Sequence, residues 1–140
     1  MSKIAVVYWS STGNTEMMAN AVTEGAKACG AEVSTIEAAS FSADQVENYD
    51  GIAFGCPAMG AEVLEEDEFD PMFTSCESKL SGKKIALFGS YGWGDGEWMA
   101  DWEKRCQEAG AELACDSVIC METPEDDSLE MCRGLGKALV

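Results

Sequence analysis

One segment near the start of the chain carries polar side chains at a density that suits anion binding. It reads WSSTGNT at residues 9–15, and its hydroxyl and amide groups belong to Ser10, Ser11, Thr12, Asn14 and Thr15. A helix-like pattern follows, and the first N–H groups of a helix lack intrahelical partners and lie at the positive end of its dipole. Gly13 lets the backbone approach a ligand closely. These features predict a phosphate site built from neutral donors, since the lysine of a P-loop is missing. An ordinary capped helix start is the alternative.

A second candidate segment alternates glycines with aromatic residues. It reads SYGWGDG at residues 90–96, so that Tyr91 and Trp93 stand between Ser90, Gly92 and Gly94. A large ring between glycines packs poorly in a core, so we expect both aromatic side chains to be exposed. An exposed ring offers a surface on which a flat ligand can stack. The segment therefore predicts a stacking site, with a mobile turn that happens to carry a tryptophan as the alternative.

A third candidate segment reads CPAMGAE at residues 56–62. Met59 supplies a soft, polarizable side chain that packs well against aromatic rings. Gly60 can adopt backbone angles closed to other residues, including both states of a peptide flip. Taken alone, this segment is equally compatible with a plain turn.

The elements that must position these segments alternate between strand and helix. The apolar patterns predict strands at residues 3–8, 32–37, 50–56, 83–89 and 112–121. They predict helices at residues 14–29 and 98–109, and a last helix that has Pro124 in its first turn and runs to the end of the chain. Residues 65–79 are acidic at first and helical later, with Pro71 obscuring where the helix begins. Such alternation indicates a parallel sheet covered on both faces, in which ligands bind at the carboxyl ends of the strands. The three candidate segments follow the first, third and fourth strands and should therefore meet at one edge.

Length, charge and cysteine content restrict the class of protein. The chain has 140 residues, which fits a single domain, and no apolar run of the roughly 18 residues that a membrane span needs. No secretory signal is visible. Seven cysteines occur without a Cys-x-x-Cys pair and without any histidine, so we expect reduced, mostly buried thiols in the cytoplasm and neither a zinc nor an iron–sulfur site. The net charge of -17 argues against nucleic acid or an anionic membrane as a partner.

The three segments together make the chain similar to the flavodoxins of the short-chain group. The resemblance covers the whole chain and rests on WSSTGNT, on AMGAE at residues 58–62 and on FGSYGWGDG at residues 88–96, in that order. It implies an α/β fold: a flavodoxin-like three-layer α/β/α sandwich with a five-stranded parallel sheet in the order 2-1-3-4-5, forming one domain over residues 1–140. It also implies a low-potential one-electron carrier that binds FMN non-covalently and shuttles electrons between redox partner proteins, rather than an enzyme.

The resemblance assigns roles to positions of this sequence. Residues 10–15 would hold the FMN phosphate, and Met59 and Trp93 would lie on opposite faces of the isoalloxazine. The Gly60 carbonyl would turn toward flavin N5 on one-electron reduction and accept its new proton, and Glu62 would hydrogen-bond the N3 side of the ring. The full cofactor-binding set expected in this way is Ser10, Ser11, Thr12, Gly13, Asn14, Thr15, Pro57, Ala58, Met59, Gly60, Ala61, Glu62, Ser90, Tyr91, Gly92, Trp93 and Gly94.

Two positions depart from the family pattern. Ala61 stands where a polar residue such as aspartate is common, which changes the turn beside flavin N5. Pro57 stands where a hydroxyl residue can help to bind the phosphate, so the phosphate site would depend more on the first segment. Residues 90–94 would add contacts to the phosphate, the ribityl chain or the pyrimidine edge.

Acidic residues cluster beside the proposed ring site. They are Glu62, Glu65, Glu66, Asp67, Glu68 and Asp70, then Asp95, Glu97 and Asp101, then Glu122, Glu125, Asp126 and Asp127. Such a rim should disfavour an anionic reduced flavin and should attract basic-surfaced redox proteins, namely reductases and iron–sulfur oxidoreductases, to a monomeric carrier. The main alternative is a flavin-dependent reductase of the same fold, for which no nicotinamide or quinone pocket is visible in the sequence.

Overall fold

The computed structural model describes residues 2–11, 13–59, 63–92 and 96–140. The strands are β1 (Lys3–Tyr8), β2 (Glu32–Glu37), β3 (Gly51–Gly55), β4 (Lys84–Tyr91), β5 (Glu112–Leu113) and β6 (Val118–Met121). The helices are α1 (Asn14–Ala28), α2 (Phe69–Glu77), α3 (Glu97–Glu108) and α4 (Asp126–Leu139). Two short 3-10 helices, Ala38–Ser40 and Ala43–Asn48, connect β2 to β3.

All strand pairs of the sheet are parallel, and the order is β2-β1-β3-β4-β5, which confirms the predicted topology. The prediction of one fifth strand over residues 112–121 is wrong in detail. β5 pairs with the first half of β4, and β6 pairs with its second half. Between them the chain leaves the sheet at Asp116 and Ser117, and the Ser117 hydroxyl donates to Glu103 of α3 at 2.7 Å. A serine that bonds to a neighbouring helix thus stands where the strand is interrupted.

The two faces of the sheet are covered by different helices. Ile4 and Val6 of β1 belong to the apolar cluster that contains residues of α1 and α4. Ala5 and Val7 belong to the cluster that contains residues of α2 and α3. Because successive strand residues point to opposite faces, a strand buried on both faces is apolar at every buried position, as the run that follows Lys3 indicated.

Close backbone packing fixes α1 against α4. A Cβ atom at Gly136 would overlap the Val22 carbonyl oxygen, and one at Gly25 would overlap the Arg133 carbonyl oxygen. Only glycine permits this approach. At its far end α1 stops in a C-terminal turn in which Gly30 has a φ of 86° and its N–H donates to the Lys27 carbonyl. The N-terminus of α1 is thereby held at the carboxyl edge of the sheet.

Several predicted boundaries shift by a few residues. β4 continues through Gly89 to Tyr91, so the first two residues of the segment 90–96 belong to a strand. α2 begins at Phe69, with Pro71 in its first turn, where a missing N–H costs nothing. α4 begins at Asp126, so Pro124 precedes the helix instead of lying in its first turn.

The thiols are as expected: all seven cysteines are free, and five of them are buried. Within the described ranges, no helix is long and apolar enough to cross a membrane, and no group of side chains is suited to hold a metal ion.

Candidate functional site

The first predicted segment lies between the end of β1 and the start of α1. Gly13 precedes the helix with a φ of 94°, and regular helical bonding starts when the Met17 N–H donates to the Gly13 carbonyl at 3.0 Å. The Ser10 hydroxyl accepts from the N–H groups of Gly13 and Glu16 at 3.1 and 3.3 Å. Since Ser10 is an acceptor in both bonds, neither of them uses its own O–H proton. Thr12 lies outside the described residues.

A buried hydroxyl pair ties this segment to the end of β4. Thr15 Oγ1 and Ser90 Oγ lie 3.0 Å apart, and the two residues are only 1% and 5% exposed. Thr15 belongs to the first turn of α1, and Ser90 is the second-to-last residue of β4. The structure thus brings together two predicted site residues that are 75 positions apart.

The segment that follows β3 folds into a narrow hairpin against β4. Cys56 N–H donates to the Phe88 carbonyl at 3.1 Å, and Ala58 N–H donates to the Ser90 carbonyl at 2.9 Å. Met59 and Val63 then pair in both directions, at 2.8 and 3.1 Å. Gly60, Ala61 and Glu62, which the resemblance to flavodoxins placed beside flavin N5 and N3, lie outside the described residues.

The segment after β4 is less open than its glycines suggested. Tyr91 is half-buried, and its ring contacts that of Trp98 with 5.4 Å between the centroids. The expectation that Tyr91 is exposed is therefore wrong, because the ring of Trp98, in the first turn of α3, packs against it. Gly92 is exposed. Trp93 and Gly94 lie outside the described residues.

One cavity of about 270 Å³ joins all three segments at the carboxyl edge of the sheet. The residues that line it are Ser11, Asn14, Pro57, Ala58, Met59, Ser90, Tyr91, Gly92 and Glu122. Eight of these nine belong to the predicted set, and Glu122 does not. Glu122 has a φ of 57°, and its N–H donates to the Tyr91 carbonyl at 2.7 Å. Its place directly after β6, at the same edge as the other segments, is the sequence signal that could have found it.

The acidic residues after the hairpin have more varied roles than a simple rim. Glu65 is 5% exposed, and its carboxylate accepts from the backbone N–H groups of Asp67, Glu68 and Phe69 at 2.7, 2.7 and 2.8 Å. Burial raises the pKa of Glu65, but these three bonds lower it by more, so that the net shift is downward. The expectation that Glu65 contributes to an acidic rim is wrong, because its carboxylate is buried and bonded to the backbone of the turn that leads into α2.

Two further acids of this run also have partners. The Trp9 indole N–H donates to Glu68 at 3.0 Å, which links the first segment to the start of α2. Asp70 forms an ion pair with Arg105 at 2.9 Å. Glu66 and Asp67 remain exposed. Trp9, although part of WSSTGNT, was not among the predicted site residues.

Comparison with known proteins settles the family. The sequence profile of the flavodoxin family matches residues 6–136. The flavodoxins of Megasphaera elsdenii and Clostridium beijerinckii are each 45% identical to the chain and align over 96% of both partners. The solution structure of two-electron reduced Megasphaera elsdenii flavodoxin superposes with a TM-score of 0.90 at 46% identity, covering 97% of each chain. The chain belongs to the flavodoxin family.

As a flavodoxin, the chain is an FMN-binding electron carrier and not an enzyme. The described part of the site fits this cofactor. Ser11 and Asn14, around the start of α1, line the cavity and carry side chains that can donate to a phosphate, while no basic side chain lines the described part of the cavity. Met59 lines the same cavity and gives an apolar contact for a ring. When bound, FMN supplies the one-electron chemistry, while the protein supplies binding, orientation and electrostatics.

Proposed function

We propose that FMN binds across the carboxyl edge of the sheet, with its phosphate at the start of α1 and its ring between the hairpin and the segment after β4. The residues that would hold it are the expected set, including Thr12, Gly60–Glu62, Trp93 and Gly94, together with Glu122. The observation that carries the proposal is the single cavity that joins Ser11, Met59 and Gly92, one residue from each predicted segment.

A comparison of FMN with riboflavin tests the phosphate part of this proposal, because the two ligands differ only in the phosphate. Ser10→Ala removes a hydroxyl that is held beside the first N–H groups of α1. We expect it to raise the dissociation constant for FMN by about tenfold, the effect of one hydrogen bond to a charged group, and to leave that for riboflavin unchanged. Ser78→Ala, at the exposed far end of α2, is the matched control. If Ser10→Ala weakens the binding of FMN and of riboflavin equally, the phosphate does not bind beside Ser10.

We also propose that the bound flavin has a low potential because of the acids that stay exposed near the site. A unit charge about 10 Å away in water contributes roughly 0.4 kcal/mol, or about 20 mV for one electron. Glu66→Gln should therefore raise the potential for uptake of the second electron by about 20 mV at low salt. Asp70→Asn should raise it less, since Asp70 is already paired with Arg105. If a spectroelectrochemical titration shows the same second potential in both variants as in the unchanged protein, these acids do not lower the flavin potential.

The same charges support basic redox proteins as partners. Exposed acids stand at Glu66, Asp67, Glu97, Glu125 and Asp127, around the edge that carries the cavity. Electrostatic steering of this kind speeds association and weakens steeply with salt. The rate at which the reduced protein passes electrons to a basic acceptor should fall as ionic strength rises. An electron-transfer rate that does not change with ionic strength would contradict the proposal of basic partners.

We further propose that the carrier works as a monomer in a reducing compartment, the cytoplasm. Support comes from the cysteines, all of which are free thiols. Sedimentation velocity with and without a reductant should give one species with the mass of a single chain. A dimer that a reductant dissociates would contradict the proposal.

A further inference from the structure

The hairpin whose ends are Met59 and Val63 is attached to the fold at two points. On its first side, the Ala58 N–H donates to the Ser90 carbonyl of β4 at 2.9 Å. On its second side, the chain passes through the buried Leu64 to Glu65, where α2 is about to begin. The position of Met59, which lines the cavity, therefore depends on both attachments.

The second attachment consists of Glu65 and Cys56. The backbone N–H of Glu65 donates to Cys56 Sγ at 3.4 Å, so the residue after the hairpin is bonded to the residue at the end of β3. The carbonyl of Glu65 accepts from the Asp70 N–H at 2.8 Å. Its carboxylate accepts the three backbone N–H bonds described above, from Asp67, Glu68 and Phe69 at the start of α2. All of its hydrogen-bonding groups are thus used in one buried position.

Such an arrangement is stiff for a physical reason. A carboxylate that is removed from water is costly unless its oxygens accept well-placed bonds, and a helix N-terminus provides them. Moving Glu65 would break several of these bonds together. The acid therefore fixes where α2 starts, and the contact with Cys56 fixes how far that start lies from β3.

We propose that Glu65 and Cys56 are positioning residues for the flavin site: together they set the seat of the 59–63 hairpin and, through it, the affinity for FMN and the separation of its two one-electron potentials. Neither residue lines the described cavity, so both act through the hairpin. This role differs from that of a negative charge in the rim, which any exposed acid at the same distance would fill.

A pair of charge-matched variants separates position from charge. Glu65→Gln keeps one carbonyl oxygen but turns an NH₂ group toward a backbone N–H that the carboxylate bonded. Glu66→Gln removes the same charge from an exposed neighbour. We expect the dissociation constant for oxidised FMN to rise about tenfold in the first variant and less than about twofold in the second. Equal changes in both variants would assign the whole effect to charge and overturn the proposal.

Variants of Cys56 test the same attachment without any change of charge. Cys56→Ala removes the sulfur that accepts the Glu65 N–H, whereas Cys56→Ser restores an acceptor. Cys76→Ala is the matched control, because Cys76 is also fully buried but contacts Met72 within α2. Cys56→Ala should weaken FMN binding and change the separation of the two potentials, and Cys56→Ser should recover most of both. Cys76→Ala should lower the stability of the fold and leave both flavin properties near those of the unchanged protein.

A measurement on the apoprotein completes the test, because it does not depend on bound FMN. The Glu65 amide should exchange slowly with solvent in the unchanged chain and in Cys56→Ser, and faster in Cys56→Ala. If Cys56→Ala leaves the Glu65 exchange rate, the FMN affinity and the potentials as they are in Cys76→Ala, the attachment does not position the hairpin and the proposal fails.

Discussion

The buried pair Thr15–Ser90 gives a quantitative prediction about how the site is held together. Its oxygens lie 3.0 Å apart, and both residues are almost fully buried. Thr15→Val leaves the Ser90 hydroxyl without this partner, and Ser90→Ala does the same to Thr15, so each single variant should cost about 1–3 kcal/mol of unfolding free energy. The double variant leaves neither hydroxyl unpaired. Its cost should fall short of the sum of the two single costs by about 1–2 kcal/mol.

Urea unfolding of the apoprotein measures all four corners of this cycle by linear extrapolation. The pair Thr23–Thr35 is the control, since it has the same kind of contact at 2.9 Å but stands in an exposed place. Water replaces a lost partner there, so the coupling should be below about 0.5 kcal/mol. If the Thr15 and Ser90 effects add to within about 0.3–0.5 kcal/mol, the pair does not join α1 to β4 energetically, and the reasoning is refuted.

Three other properties should follow from the structure. Gly136→Ala should destabilise the fold by about 2 kcal/mol, because its methyl group would separate α1 from α4. Gly134 is exposed in the same helix with open space around it, so Gly134→Ala should stabilise the fold by about 0.5–1 kcal/mol. Thermal unfolding in which the two variants change the stability in the same direction would contradict the close packing. The net pKa shift of Glu65 is downward, so its carboxylate should stabilise the fold at pH values above the ordinary carboxyl pKa of about 4.3. This contribution should disappear as the pH falls through the pKa of the folded state. A difference in unfolding free energy between the unchanged protein and Glu65→Gln that stays constant over this pH range would count against the prediction. Cys29, the exposed thiol, should react with an alkylating reagent before the buried thiols. Mass spectrometry of the native protein would identify the first labelled cysteine, and labelling of a buried cysteine before Cys29 would contradict the prediction.

The topology and the three segments of the site could be predicted because both follow from general rules. Strands that alternate with helices form a parallel sheet, and ligands collect at its carboxyl edge, so chemistry-bearing residues after β1, β3 and β4 had to meet. The end of β4 was harder to predict. Gly89 looked like a strand end, but it is a central position at which a Cβ would overlap the Cys56 carbonyl oxygen. A glycine required for close approach and a glycine that ends a strand look the same in a sequence.

The individual roles of the acids could not be read from the sequence. The run EEDE at residues 65–68 looks uniform, yet its first member is buried under the start of α2 and its last accepts a bond from Trp9. These differences arise from backbone N–H groups and from a tryptophan 59 positions away, neither of which leaves a local pattern. For the same reason Glu122 was grouped with the rim, although it borders the cavity itself.

Binding of FMN to the purified apoprotein tests the central claim most directly. Titration of FMN with the protein, followed by flavin fluorescence and visible absorption, should show one saturable site, with about one flavin per chain and a perturbed flavin spectrum, and the protein isolated with its cofactor should be yellow. Riboflavin should bind more weakly because it lacks the phosphate that the start of α1 is built to hold. A colourless protein that leaves the fluorescence and the spectrum of added FMN unchanged would contradict the account.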